Sequence, residues 1–333
     1  MYARRGLRGF LWRVWAGGVD TSHMSAWLRL IRPGDWTKNV FVLVPIVFWL
    51  PGEGRAAGAP PASDLVGDVA WMFAAFCLAA SGFYAINDAI DARSDRLHPV
   101  KRKRPVASGA IGSVQALMAG LVLVASALAC AAIVSKAAVA VLATYVALQL
   151  TYNLGLKRVA FLDVRCLAVG FCLRAAGGAI AIEIAISVWL LLCVFFLTLY
   201  LGFMKRQCDM VSAGRSGATW TTSAPYRGTA ELDWLMGVSA TMTTLMYLMY
   251  SLSSHARGIF GVRALGLALL TPLVLLVVYR FWRRAAEGRS DSPLSALIED
   301  PLVRVGIAGF AAGAWAVLYV PGVQSVLERV LLV

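Results

Sequence analysis

The chain of 333 residues is 59% hydrophobic and only 15% charged, with a mean hydropathy of +0.72. A soluble domain carries about 25% charged residues, so these values exclude a soluble globular protein and indicate an integral membrane protein. The net charge of +13 would suit nucleic acid if the cations were pooled, but they lie between apolar runs of spanning length, which excludes that class too.

Residues 1–23 hold Arg4, Arg5, Arg8 and Arg13 beside Leu7, Phe10, Leu11, Trp12, Val14 and Trp15. No long apolar core follows, so the stretch is not a secretory signal. Either it is a basic interfacial helix or translation begins at Met24 and it is dispensable. The remainder, 24–333, reads as one all-α transmembrane domain.

The first apolar run, Val40–Leu50, is short for a span of about 20 residues, so that helix is expected to begin near Trp36. Residues 51–66, rich in Gly, Pro and Ala, form a loop. Further spans are expected near 67–88, 112–133, 137–153, 160–182, 184–204, 234–252, 262–280 and 304–321, which makes nine. A tight turn near Glu183 separates the fifth from the sixth, and 205–233 is a polar connection. Cys77, Cys130, Cys166, Cys172, Cys193 and Cys208 mostly fall inside spans without metal-type spacing and read as small buried apolar residues.

The loop charges orient this bundle. With the N-terminus cytoplasmic, that side holds seven Lys/Arg in 1–38, six in 89–111, two in 154–158, four in 205–233 and five in 280–304. Arg55, Lys136, Arg257, Arg263 and Arg329 fall on the other side, with Arg165 and Arg174 inside the membrane. Such a bias is what the positive-inside rule demands. The segment after the second span is therefore expected to face the cytoplasm, in the inner membrane of a bacterium.

That segment, Asn87 to Gly109, carries the chemistry. If the second helix continues through it, Asp88, Asp91 and Asp95 recur at i, i+3 and i+7 and share one face, neighbouring Cβ atoms about 5–6 Å apart. Three carboxylates so close repel unless a cation sits among them, and oxygen ligands suit Mg2+, which binds through a few carboxylates plus substrate phosphates. Five basic residues lie between Arg96 and Arg104, counterparts for phosphate oxygens. A solvated juxtamembrane loop would account for the basic run but not for the Asp spacing. Asp163 and Arg174, eleven residues apart, share a face of the fifth span, where Gly170, Gly177 and Gly178 allow close approach. Arg174 either faces a cavity or pairs with an acidic residue elsewhere in the bundle. Lys205 and Arg206 close the sixth span. Arg215 and Arg227 read as juxtamembrane charge. His98 has no His or Cys companion and shapes a turn or donates to a phosphate.

Nine spans with Asn87-Asp88-x-x-Asp91-x-x-x-Asp95 closing the second resemble the UbiA-type intramembrane prenyltransferase superfamily, which holds a polyprenyl diphosphate through Mg2+ on two Asp-rich motifs. The second DxxxD is absent here, since Leu167 stands four positions after Asp163. In its place stands Tyr152-x-x-x-Leu156-Lys157-x-x-x-x-Leu162-Asp163, and the first motif continues as His98-Pro99-x-Lys101-x-x-Arg104-Pro105-x-x-Ser108-Gly109. With Arg32-Pro33-x-x-Trp36-x-Lys38-Asn39 and the late Asp291-Ser-Pro293…Asp300-Pro301, these features are similar to decaprenyl-phosphate phosphoribosyltransferases over most of residues 26–310.

The resemblance implies transfer of 5-phosphoribose from phosphoribosyl pyrophosphate (PRPP) to a polyprenyl phosphate, with inversion at the anomeric carbon. It implies Mg2+ on Asn87, Asp88, Asp91 and Asp95, with Asp88, Asp91, Lys157 and Asp163 as catalytic residues. Substrate-binding residues follow in three groups: Lys38, Asn39 and Tyr84; His98, Lys101 and Arg104; and Tyr152, Arg158, Arg174, Lys205 and Arg206. Asp163 is expected to hold a ribose hydroxyl or a second metal. Homo-oligomerisation is left open. The rival with the same fold is an aromatic prenyltransferase, against which the missing DxxxD weighs. A transporter is the rival of another class, with little use for three Asp in helical register.

Overall fold

A computed structural model describes residues 26–49, 62–97, 101–216, 225–288 and 293–331; the 1–23 segment and His98 lie outside them. Helix α1 (Ala26–Ile31) leads through a 3-10 stretch, Pro33–Val42, into the six-residue α2 (Val44–Trp49). The expected first span is thus represented among the described residues by short pieces. Pro33 and Pro45 explain the breaks, because a ring in place of an N–H is tolerated only at the start of a helical segment.

The helices that follow are α3 (Ala62–Ile90), α4 (Ala92–Leu97), α5 (Ser113–Val134), α6 (Lys136–Leu154) and α7 (Leu162–Ala181). Then come α8 (Val188–Ser216), α9 (Thr229–Leu252), α10 (Ser254–Phe260), α11 (Arg263–Ala268) and α12 (Thr271–Ala286). Helices α13 (Pro293–Glu299), α14 (Pro301–Tyr319) and α15 (Pro321–Leu331) complete the order, and no strand occurs among the described residues. Eight stretches there are long and apolar enough to cross a membrane, at the places expected for the second to ninth spans.

Several boundaries differ from expectation: α3 begins at Ala62, inside the expected 51–66 loop, and α9 at Thr229, inside the expected 205–233 connection. The sixth span does not end at 204: α8 runs on to Ser216 and carries Lys205 and Arg206 in its helix. Polar residues continue a helix out of the membrane without any hydropathy signal. The eighth span is interrupted at Leu269–Leu270, just before Pro272, where proline's missing N–H breaks the ladder. The turn at Glu183 is present, with Glu183 itself left-handed at φ 56°.

The chain forms two compact units, Met1–Val40 with Ala70–Leu142, and Phe41–Val69 with Ala143–Val333. In the first, Leu30, Ala85, Ala92, Val106, Ile111 and Ala116 form a buried cluster that ties α1, α3, α4, the 101–111 turn and α5 together. Helices α3 and α5 cross at Gly82 and Gly120: a methyl on Gly82 would lie 2.8 Å from the Gly120 carbonyl oxygen, and one on Gly120 would lie 2.8 Å from that of Gly82. Close backbone approach of this kind is how helices pack where burial in lipid supplies no hydrophobic driving force. In the second unit, one core gathers Val164, Tyr200, Phe203, Tyr226, Met236, Phe281 and Ala296, so α7, α8, α9, α12 and α13 share it.

Candidate functional site

The acidic segment sits at the carboxyl end of α3. Helix α3 stops at Ile90, Asp91 bends, and α4 restarts at Ala92. Helical hydrogen bonding still passes through the bend, the Asp91 N–H to the Asn87 carbonyl at 2.8 Å and the Asp95 N–H to the Asp91 carbonyl at 2.9 Å. Asp88 and Asp95 are buried at 1% and 4% exposure, whereas Asn87 and Asp91 are half-buried. Burying carboxylates requires partners, and two arginines supply them. Arg104 Nη1 donates to Asp95 Oδ2 at 2.8 Å and to Asp88 Oδ1 at 3.2 Å, and Arg32 Nη2 donates to the same Asp88 Oδ1 at 2.6 Å.

Both arginines are placed by local structure. Arg104 precedes the turn whose Val106 and Ile111 are buried in the first unit's core, with the Ile111 N–H on the Pro105 carbonyl at 3.1 Å. Arg32 adopts a left-handed backbone, φ 50°, which a side chain other than Gly rarely takes. What holds it is the docking of its neighbours on α3: Trp36 Nε1 donates to Ser81 Oγ at 3.0 Å, and Ser81 Oγ donates to the Ile31 carbonyl at 2.8 Å. The Arg32 guanidinium lies 4.8 Å from the centre of the Tyr84 ring, a cation–π contact.

The expected ladder of three carboxylates around one cation therefore takes another form. Asp88 and Asp95 turn onto Arg104, and among the described residues no three Asp, Glu, His or Cys side chains converge closely enough to hold a metal ion. The donor chemistry of the segment nevertheless fits Mg2+, which prefers carboxylate and amide oxygens. Asp88 Oδ2 in particular is buried with no hydrogen-bond partner among the described residues, and an unpaired buried acceptor costs about 1–3 kcal/mol.

The other residues singled out in the first unit divide. Lys101 is exposed, as is Lys38, whose Nζ lies 2.6 Å from Asp35 Oδ1. Asn39 is fully buried, its amide donating to Cys77 Sγ at 3.2 Å, which fastens the 3-10 stretch to α3.

In the second unit, Asp163 is the centre. It opens α7 and is 0% exposed. Tyr226 Oη donates to its Oδ1 at 2.5 Å, and Arg206 Nε donates to its Oδ2 at 3.1 Å. Both oxygens are thus engaged by protein groups, and the expected ribose or second-metal contact meets an enclosed carboxylate. Burial, and then Asp163, push the Tyr226 phenol well above its ordinary range, so it stays a hydrogen-bond donor at neutral pH. Lys157 and Arg158 occupy a 3-10 turn just before α7 and are partly to fully exposed, and Tyr152 is half-buried on the last turns of α6. Lys205 is exposed beside Arg206. Arg174 is buried between rings, 4.8 Å from the centre of Tyr145 and 5.2 Å from that of Phe171, donating to Tyr145 Oη at 2.9 Å and to the Gly170 carbonyl at 2.8 Å.

Two residues with central places were not among the expected site residues. Arg32 stands in the sequence only as part of the Arg32-Pro33-x-x-Trp36-x-Lys38-Asn39 motif. Tyr226 lies 63 positions from Asp163, on a connection with no regular pattern.

Residues 43–298 match the UbiA prenyltransferase family. The chain is 35% identical over 238 residues to the decaprenyl-phosphate phosphoribosyltransferase of Mycolicibacterium smegmatis, covering 71% of this chain and 73% of that protein. It is 29% identical over 318 residues to the nodulation protein NoeC of Azorhizobium caulinodans, covering 92% and 97%. Its fold is similar to that of a UbiA homologue from Archaeoglobus fulgidus bound to GPP and Mg2+, with TM-score 0.62 and 18% identity over 89% of this chain and 100% of that one. An all-α, multi-pass membrane transferase, the chain belongs to the UbiA prenyltransferase family.

Proposed function

We propose that this enzyme transfers 5-phosphoribose from PRPP to a polyprenyl phosphate such as decaprenyl phosphate, at the cytoplasmic face of a bacterial plasma membrane. A phosphate oxygen of the lipid forms the new bond to the anomeric carbon as the bond to the diphosphate oxygen breaks. Attack from the opposite face inverts that carbon, and pyrophosphate leaves with the bonding electrons. The phosphate monoester is already anionic, so no strong general base is required. What the protein must supply is positive charge in fixed positions.

The observation that carries this reading is the buried Asp88–Arg104–Asp95 arrangement, with Asp88 Oδ2 unpartnered among the described residues. It fits a segment that meets a cation and a diphosphate together, as the similarity to the decaprenyl-phosphate phosphoribosyltransferases also suggests. Asn87, Asp88, Asp91 and Asp95 would hold Mg2+, which supplies Lewis-acid neutralisation of the leaving diphosphate. Arg32, Lys101 and Arg104 provide guanidinium and ammonium groups for its remaining oxygens. Lys157, Arg158, Lys205 and Arg206 provide the same for the lipid phosphate, whose polyprenyl tail stays in the bilayer.

Purified protein incubated with ribose-labelled PRPP and a polyprenyl phosphate should yield a labelled lipid. The product should disappear with EDTA and return with added Mg2+. No labelled lipid, together with prenylation of an aromatic acid from a polyprenyl diphosphate, would overturn the reading in favour of an aromatic prenyltransferase.

A further inference from the structure

We infer that Tyr226 is a positioning residue which, through Asp163, aims Arg206 and the Lys157–Arg158 turn at the phosphate of the lipid acceptor. The inference rests on the proposed phosphoribosyl transfer and assigns part of its machinery. Asp163 is fully enclosed and has one oxygen on Tyr226 and the other on Arg206. Its use is to fix a guanidinium through Nε, so that the Nη side of the fork keeps one direction. The Arg206 side chain remains 18% exposed, ten residues before the end of α8.

Tyr226 acts on a second element as well. Its hydroxyl accepts the Phe161 N–H at 3.3 Å while it donates to Asp163. Phe161 caps α7 in a left-handed conformation, φ 69°, which an L side chain holds only where its surroundings insist. The Tyr226 ring meets those of Phe161 and Phe203 edge-on, at 6.0 and 6.3 Å between centres. Directly before Phe161 stands the turn bearing Lys157 and Arg158, tied to α7 by the Asp163 N–H on the Val159 carbonyl at 3.1 Å. One phenol therefore sets the direction of one arginine and the backbone path of two further cations. Lys157 and Arg158 lie between two candidate membrane spans and Arg206 near the end of a third, where the phosphate of a lipid arrives.

The test is Tyr226→Phe in the full-length protein, which keeps the ring and removes the hydroxyl. The KM for polyprenyl phosphate should rise about tenfold, with kcat within about threefold and the KM for PRPP unchanged, the signature of lost binding common to ground and transition states. The double variant Tyr226→Phe/Arg206→Gln should lose less than the two single losses combined, because the part of each that passes through Asp163 is shared. Amide exchange at Phe161 should accelerate in Tyr226→Phe. A lower melting temperature with unaltered KM, and effects that add to those of Arg206→Gln, would reduce Tyr226 to a structural role. A rise confined to the KM for PRPP would overturn the assignment to the acceptor. Binding of polyprenyl phosphate alone, followed by tryptophan fluorescence, keeps the inference separate from the reaction. A wild type that makes no labelled lipid refutes the transfer, whereas equal lipid affinity of wild type and Tyr226→Phe refutes the positioning role.

Discussion

Arg104 holds two carboxylates seven positions apart on the chain with a single nitrogen. Lysine reaches as far, but its ammonium lacks the planar fork that keeps such a position. Arg104→Lys is therefore expected to lower initial transfer rates at least tenfold while the melting temperature changes by no more than about 3 °C. Asp88→Asn keeps the shape and removes the charge shared by Arg32 and Arg104. It should cost at least about 100-fold in rate, near 2.7 kcal/mol of barrier, without recovery at higher Mg2+. A near-normal rate in Asp88→Asn would remove the acidic segment from the chemistry. The Asp residues themselves were legible because their spacing matches the helical repeat. Their arginine partners were not, since Arg32 reaches Asp88 across 56 positions through a left-handed turn that no periodicity announces.

Between elements, the second unit relies on caps and ion pairs. Asp300 is 2% exposed and begins α14 by accepting the Leu302 N–H at 2.9 Å, and its other oxygen lies 2.7 Å from Arg280 and 3.8 Å from Arg284. Burial alone would raise its carboxyl, but Arg280 and the Leu302 and Val303 amides outweigh that and hold it below the ordinary value of 3.8. A depressed pKa stabilises the fold above the unfolded value and loses that contribution as pH falls through the folded one. Asp300→Ala strands Arg280 and removes a cap, and should cost about 3 kcal/mol in thermal unfolding near pH 7. The gap from wild type should narrow as pH falls below about 4 and through the lowered folded pKa; a constant gap would show that charge is not its source. Most helices were legible from apolar runs of spanning length. The end of α8 and the broken first segment were not: one continues in polar residues, and the other is decided by where two prolines leave the backbone without a donor.

For the whole molecule, the loop charges predict which ends face the cytoplasm. In a background with the six native cysteines replaced, Arg102→Cys should be shielded from a membrane-impermeant maleimide in intact cells and should react in inverted vesicles. Lys136→Cys and Arg257→Cys should behave in the opposite way. All three positions are exposed, so a reversed pattern would mean a reversed topology. The family and fold class could be read from residues 87–109 and the run of spans. The division into two units could not, because two of its boundaries fall inside α3 and α6, where hydropathy gives no signal.

The crossing of α3 and α5 at Gly82 and Gly120 carries one more consequence. With the two backbones in close approach and the Val124 and Ile86 side chains packed against the glycines, the pair is pinned like a rivet. Gly82 stands six residues ahead of Asp88, about 9 Å along the helix. Thinner or thicker bilayers must then be met by tilting at other joints, and the acid-bearing end of α3 keeps its depth.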